Sequence, residues 1–379
     1  MSTLATNTIT DASGGNTATI NSYTPTESNM AGRNKIINGD MRISQRNGGA
    51  SVTPAAAGYT LDRWYAFMDV GSKFSVQQST TAPVGFTNSM LITSTSAYTV
   101  GAGEAYGVRQ MIEGFNAADL GWGTANAQTV TLSFKVRSSL TGTFGGVLRN
   151  SANNRTYPFT YTISAANTFE DKSVTIAGDT SGTWLTTNGT GIGVVFGIGV
   201  DSTISGPAGA WAGTGYWGAT GATSVVGTSG ATFYVTGVQL EAGSVATPFE
   251  RRQYGQELAL CQRYYEKSFN IETAPAAGLL SLEGANCSGF FSGGARSDPI
   301  TFKVAKRASP TISYFRGLNA GSSPALWNYY DFSVWQATTG TATQQVDQTG
   351  FVVFLGRTAG FSSGLTYLLD GHWVASAEL

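Results

Sequence analysis

Between Tyr59 and Phe249 the sequence is a succession of short runs in which apolar and polar residues alternate, each closed by a glycine, asparagine or serine turn. Arg63–Met68, Lys73–Gln77, Ser89–Thr93, Val130–Val136, Phe159–Ile163, Ser173–Ile176 and Thr232–Leu240 are of this type. Turn signals fall at Gly48-Gly49, Gly101 and Gly103, Gly142, Gly145-Gly146, Gly178-Asp179 and Asn188-Gly189. A period of two sends successive side chains to opposite faces, so each run predicts a strand with one face in a core and the other in water. No helix-period stretch separates the runs, which excludes a parallel sheet of βα units and predicts an all-β fold. Residues 34–250 are expected to form a jelly-roll-like β-sandwich. The pattern returns in Gly278–Glu283, Ser288–Phe291, Pro299–Phe302, Thr311–Phe315, Asp331–Trp335, Gly350–Leu355 and His372–Ala377, predicting a second, smaller β-sandwich over residues 269–379.

One segment departs from this pattern. In the linker 251–268, Tyr254, Leu258, Cys261 and Tyr265 recur at the helical period and predict a short helix with one apolar stripe, docked on a sandwich or packed against copies of itself. Ser2–Met30 is rich in Thr, Ser and Asn, with Leu4, Ile9, Ile20 and Tyr23 as its sparse large apolar residues. Alone it cannot bury enough surface to offset its backbone entropy. Residues 1–33 are therefore expected to be an extended arm, either disordered or ordered along another surface. From Arg33 the character changes, and Ile36, Ile37, Met41 and Ile43 supply strand material around an Asn38-Gly39 turn.

Composition narrows the function. Lys and Arg number 22 against 23 Asp and Glu, a net charge of −1, and charged residues make up 12% of the chain. A nucleic-acid partner needs a basic face to displace counterions, and this balance supplies none. A membrane helix needs about 20 apolar residues; Ile192–Val200, the longest such run, is far shorter and reads as a buried strand. The N-terminus lacks the basic and apolar regions of a secretory signal, so synthesis in a cytoplasm is expected. Two cysteines, Cys261 and Cys287, and one histidine, His372, are too few for a zinc site or a disulfide scaffold. No motif calls for a cofactor: Gly213–Gly218 spells G-x-G-x-x-G, but loop sequence flanks it where a strand and a helix are required.

Catalytic constellations are equally thin, and no enzymatic activity is expected. His372 sits in the last expected strand, without a G-x-S-x-G elbow and with no local signature tying it to Cys287. Asp62, Asp69, Glu104, Glu113, Glu170 and Asp171 offer carboxylate pairs for glycoside hydrolysis, as 23 scattered acids always will. Asn38, Asp40 and Glu241 fit no dedicated calcium loop, and satisfied turn residues with no metal are expected. Trp184, Trp211, Tyr216 and Trp217 are more informative, being large aromatics in otherwise polar Gly/Ser/Thr loops. They are candidates for a platform on which the C–H face of a sugar stacks, or for plugs closing the sandwich end or a subunit contact.

Arg33–Met41, Val238–Glu250, Glu257–Glu266 and His372–Leu379, with Ile9–Thr17 near the start, resemble structural proteins of tailed bacteriophages, tail fibres and minor structural proteins among them. The resemblance implies a carbohydrate-binding-module-like jelly roll, a second β domain and a homotrimer. It further implies a virion component attached to other virion proteins through residues 1–33, and it carries over no catalytic residue. Low charge density suits packing against copies of the same chain, where buried charges are costly. The adopted expectation is a tail fibre that contacts a host-surface glycan or protein. Its alternatives are a capsid decoration or head fibre, and a glycan-cleaving spike with two carboxylates about 5–10 Å apart in a groove.

Overall fold

The computed structural model describes residues 32–279, 286–291, 294–318, 323–356, 361–362 and 364–379. The expected arm up to residue 31, the expected strand beyond residue 279 and the Cys287 side chain lie outside the described residues. Strands form where the sequence alternates. In chain order they are β1 (Gly58–Leu61), β2 (Trp64–Met68), β3 (Phe74–Ser79), β4 (Ser89–Ser94), β5 (Ala105–Glu113), β6 (Val130–Ser138) and β7 (Gly142–Arg149). There follow β8 (Thr156–Ile163), β9 (Glu170–Ile176), β10 (Thr190–Val200), the two-residue β11 (Ser205–Gly206) and β12 (Gly218–Ala219), and β13 (Thr232–Ala242). Eleven of them make two antiparallel sheets, ordered β1-β2-β5-β10-β7-β8 and β3-β4-β13-β6-β9, while β11 and β12 pair only with each other. The sheets face each other across a core that includes Trp64, Phe74, Tyr106, Phe134, Phe144, Phe196 and Phe233.

Two local expectations need correction, and one strand was missed. Gly145-Gly146 is no turn but lies inside β7, where a Cβ on Gly146 would come 2.1 Å from the Val195 carbonyl oxygen of β10. Strand β5 carried no alternation signal because nearly all of it is buried on both faces. Ile36, Ile37, Met41 and Ile43 are buried, yet the segment forms no strand. Its asparagines replace a ladder: Asn34 Oδ1 accepts from the Ile36 and Leu240 amides at 2.9 and 3.1 Å, and Asn38 bonds both the N–H and the carbonyl of Ile43.

Beyond the sandwich come helix α1 (Tyr254–Gln262), β14 (Tyr265–Lys267), β15 (Asn286–Phe291), β16 (Gly294–Ser297), β17 (Ile300–Thr301) and β18 (Thr311–Arg316). The chain ends with β19 (Asn328–Tyr330), β20 (Trp335–Ala337), β21 (Gly340–Val346), β22 (Gly350–Gly356) and β23 (Thr366–Ser376). Strand β23 organises this domain, pairing β15 and β19 through Thr366–Asp370 and β18 and β14 through Gly371–Ser376. Of the expected strand at Asp331–Trp335, residues 331–334 are instead the turn between β19 and β20, and Trp335 opens β20. Asp331 Oδ1 accepts the Ser333 and Val334 amides at 3.0 and 2.9 Å, which bends the chain out of any ladder.

Helix α1 is shorter than its apolar spacing suggested. Tyr265 has left the helix for β14, and Tyr254 is exposed. Cys261 and Tyr264 pack with Ile37 and Ile43, with Leu258 and Leu379 alongside, so the helix docks inside its own chain where the two domains meet. That seam also buries the β1–β2 hairpin tip, Asp62-Arg63, each residue 1% exposed. Arg63 holds φ at +69°, a conformation long side chains rarely adopt. It pairs with Glu378 and stacks on Tyr264, its guanidinium carbon 3.5 Å from the ring centroid. Glu113 accepts from Arg263 at 2.6 and 2.9 Å and from the Tyr264 hydroxyl at 2.6 Å.

Candidate functional site

A sheet strand buried on one face alternates in burial, but β10 is buried from Gly191 to Gly199. Ile192, Val194, Phe196 and Ile198 fill the inter-sheet core. Val195 points the other way and joins Phe67, Ala105 and Val147 in a second cluster on the outer face of the six-stranded sheet. The chain after β10 covers that face. Strands β11 and β12 pair in parallel, the Trp217 amide donates to the Ile204 carbonyl at 2.9 Å, and Ile204, Tyr216 and Trp217 settle against the cluster. Gly206 is required here by close approach, since a Cβ would lie 2.3 Å from the Tyr216 ring.

The result is a platform of aromatic rings and guanidinium groups. Trp217 lies 5.2 Å from Phe67 between ring centroids. The Arg149 guanidinium carbon stands 4.3 Å from the Trp217 centroid and that of Arg109 stands 5.6 Å away. Arg109 also lies 4.6 Å from the Tyr65 centroid. Such stacking favours arginine because its planar, weakly hydrated cation meets the negative face of a ring. Gly193 makes the arrangement fit: a Cβ there would be 2.9 Å from the Met111 sulfur and 3.0 Å from Arg149 Cγ. Beside the rings opens a pocket of about 250 Å³ lined by Tyr65, Phe67, Asp69, Arg109, Ile204 and Trp217 among others. Asp69 accepts the Ala105 amide at 2.7 Å.

Neither arginine has an ion pair or a hydrogen bond among the described residues. Arg149 is 7% exposed, and its Nε and Nη1 are buried without a partner, as is Nε of Arg109. Burial, then the neighbouring Arg109 charge, pushes the Arg149 guanidinium down to about 10. Burial also lowers Arg109, against the opposing influence of Tyr65.

The four aromatics singled out by the sequence are not brought together. Tyr216 and Trp217 belong to the platform. Trp184 and Trp211 belong to a separate cluster with Trp122, in which ring centroids lie 4.7–5.4 Å apart, edge to face. Every indole N–H in that cluster is satisfied: Trp122 donates to Gln128, Trp184 to Ser181 and Trp211 to Ala177, all at carbonyl oxygens. Trp184 and Trp122 are buried in the main core with Trp211 packed against it. Tyr65, Phe67, Arg109 and Arg149 were missed. Tyr65 and Phe67 stand two apart in β2, as Ala105, Gly107, Arg109 and Met111 do in β5, a spacing that marks one sheet face but does not say that the face matters.

The candidate chemistry elsewhere is occupied. His372 is buried, its Nδ1 3.0 Å from the Ser268 hydroxyl and its ring stacked 3.9 Å from Phe269. The same hydroxyl accepts the Trp373 amide at 2.9 Å. Glu104 accepts the Gly101 amide and the Tyr98 and Tyr106 hydroxyls, and the amide bond leads in holding its carboxyl below the usual range. Glu170 and Asp171 pair with Lys172 and Lys135, Glu113 with Arg263, and Asp62 accepts from Gln45. Asp40 pairs with Arg42, and Glu241 accepts from Gln239 and Thr247. Among the described residues no three His, Cys, Asp or Glu side chains gather in a way that could hold a metal ion.

No protein-family model and no curated protein sequence matches the chain. Solved structures do resemble it. The enzymatically active domain of bacteriophage CBA120 tailspike protein 4 matches at 12% identity over 55% of this chain and 21% of its own, with a TM-score of 0.29. The family 11 carbohydrate-binding module of a Clostridium thermocellum cellulosomal cellulase matches at 11% identity over 51% of this chain and 95% of its own, TM-score 0.27. A xylan-binding domain from Paenibacillus barcinonensis matches at 11% identity over 53% and 99%, TM-score 0.25. Likeness at this level carries no chemistry, so the role of the platform rests on its own residues.

Proposed function

We propose that this chain is a non-catalytic glycan-binding component of a bacteriophage virion, with the outer face of the six-stranded sheet as its binding surface. The observation that carries the binding role is the platform itself. Tyr65 and Trp217 offer ring faces beside a pocket, with Arg109 between them as a polar anchor. An aromatic face excludes water from the C–H side of a sugar ring while a guanidinium reaches its oxygens. The engagement of Glu104, Glu113, Glu170 and Asp171 by donors within the fold supports binding without cleavage. The sequence resemblance to phage structural proteins supports the virion setting: a homotrimeric tail fibre, made in the host cytoplasm and held on the tail through residues 1–33.

The binding role is tested by presenting the labelled full chain, and the chain with Trp217→Ala, to an array of neutral and acidic glycans. Binding that Trp217→Ala weakens at least tenfold is expected; a silent array overturns the reading. Immunogold electron microscopy of intact particles, with antibody against the C-terminal domain, tests the setting. Gold at the tail is expected; gold over the head assigns the protein to the capsid. Sedimentation equilibrium of the full chain tests the trimer.

A further inference from the structure

Arg109 and Arg149 are set apart by burial with neither an acid nor a side-chain hydrogen bond; other arginines without an ion pair, such as Arg137, Arg296 and Arg307, bond neutral oxygens instead. Arg33, Arg42, Arg46, Arg63, Arg155, Arg252 and Arg263 all pair with carboxylates. Arg109 and Arg149 do not, although Arg149 is more deeply buried than most of these. Burying a cation without a counter-ion is costly, and placing a second cation near it adds repulsion. The fold nevertheless builds the pair deliberately. Arg109 on β5 and Arg149 on β7 flank β10 on the same face, Gly193 of β10 makes room for the Arg149 stem, and the Trp217 ring lies against both guanidinium groups.

We propose that the platform takes a negatively charged sugar, its carboxylate or sulfate held by Arg109, with the buried Arg149 adding positive charge beside Trp217, and its ring stacked against Tyr65 and Trp217. The inference rests on the glycan-binding reading and specifies the class of glycan. An anion supplies the counter-charge that Arg109 lacks in the pocket, and a planar carboxylate matches its guanidinium fork; Arg149, whose Nε and Nη1 are buried away from the pocket lining, contributes its charge alone. Asp69 lines the same pocket and accepts the Ala105 amide, so the anion binds at the arginine end and a neutral hydroxyl-bearing ring meets Asp69. The rings set stacking, which any sugar satisfies, whereas the guanidinium pair discriminates.

The test uses the full chain in calorimetric titration against matched ligands: tetragalacturonate and its methyl ester, sialyllactose and lactose, and a heparin oligosaccharide and its desulfated form. At least one member is expected to bind ten or more times more tightly than the partner lacking its carboxylate or sulfate, with an advantage that shrinks as salt is raised. Arg109→Gln should remove most of that advantage and Arg149→Met, which keeps the stem on Trp217, should reduce it, each read as the ratio of acidic to neutral affinity within the variant. The pairs also separate carboxylate from sulfate. Equal affinity within every pair, or an acidic advantage that survives both substitutions, overturns the inference and leaves glycan binding standing. Failure of all six ligands, with a silent glycan array, overturns both. Should Arg149→Met fail to fold, the half-buried Arg109→Gln carries the test alone.

Discussion

Replacing Glu378 by Gln should loosen the seam between the domains more than any comparable change at the surface. Glu378 bridges two arginines, Arg63 and Arg46, the latter at 2.8 Å. Its side chain is 6% exposed and that of Arg63 is 1% exposed. Without the carboxylate, Arg63 keeps the Met111 carbonyl at 2.5 Å and the Tyr264 ring, neither of which neutralises its charge. Removing one partner of a buried ion pair costs about 3–5 kcal/mol, and the stranded Arg46 puts Glu378→Gln in the upper part of that range. Arg63→Met removes the cation and leaves Glu378 paired with Arg46, so about 1–3 kcal/mol is expected. The double variant leaves no buried Arg63 charge but still strands Arg46, so it should be worse than Arg63→Met yet less destabilised than the sum of the two single effects. The cycle is measured by urea unfolding followed by tryptophan fluorescence, with far-UV circular dichroism to show whether the domains part in separate transitions. A loss below about 1 kcal/mol for Glu378→Gln, or additive single effects, would refute the claim that this pair is buried and coupled.

Other substitutions separate core from platform. Trp184→Ala should lower stability by about 3–5 kcal/mol, as expected for a buried indole with a satisfied N–H, whereas Trp217→Ala should cost about 1–2 kcal/mol and mainly weaken ligand binding. Paired melting curves and titrations decide, and a reversed order reassigns the two residues. Gly206→Ala drives a methyl group into the Tyr216 ring and should displace the covering loop, which would show as faster amide exchange around residues 204–219. Burial pushes the Glu113 carboxyl up, but bonds from Arg263 and Tyr264 outweigh it and hold it below the ordinary 4.5. Its folded value is therefore the lower one, so the stability it contributes is present above about pH 4.5 and lost as pH falls further. Arg263→Met should flatten that acid limb in melting temperature against pH; an unchanged slope refutes it. Deleting residues 2–30 should leave folding and glycan binding intact and abolish incorporation into particles, as scored by blotting purified virions.

Of the stretches that carry the phage resemblance, Arg33–Met41, Val238–Glu250, Glu257–Glu266 and His372–Leu379 lie far apart in the chain yet meet at one place. Arg33–Met41 bonds Val238–Glu250 through Asn34 and Glu250, the Asn38 amide donates to Glu257, and Glu378 reaches Arg63 under the helix. Gly39 belongs to this weld as well, since a Cβ would sit 2.2 Å from the Val238 carbonyl oxygen. The individual segments were legible in sequence, but their convergence was not. A hairpin tip such as Asp62-Arg63 reads as exposed and polar, and only the second domain folding over it makes it part of a core.

By itself, the sequence determined what depends on short-range physics. Period-two alternation is a property of the extended backbone, so β3, β4, β6, β9 and β13 were readable, and so was the all-β class. The lack of an apolar run long enough for a membrane helix was also readable, and among the described residues no helix is long and apolar enough to cross a membrane. Tertiary structure decided which faces are covered and which charges are paired. Strand β10 is buried twice because a loop well downstream returns Tyr216 and Trp217 to its outer side. Tyr65, Arg109, Arg149 and Trp217 come from four separate segments and meet only through sheet order. Whether an arginine has an acid beside it depends on what that distant packing delivers, and for Arg109 and Arg149 it delivers aromatic rings and no carboxylate partner.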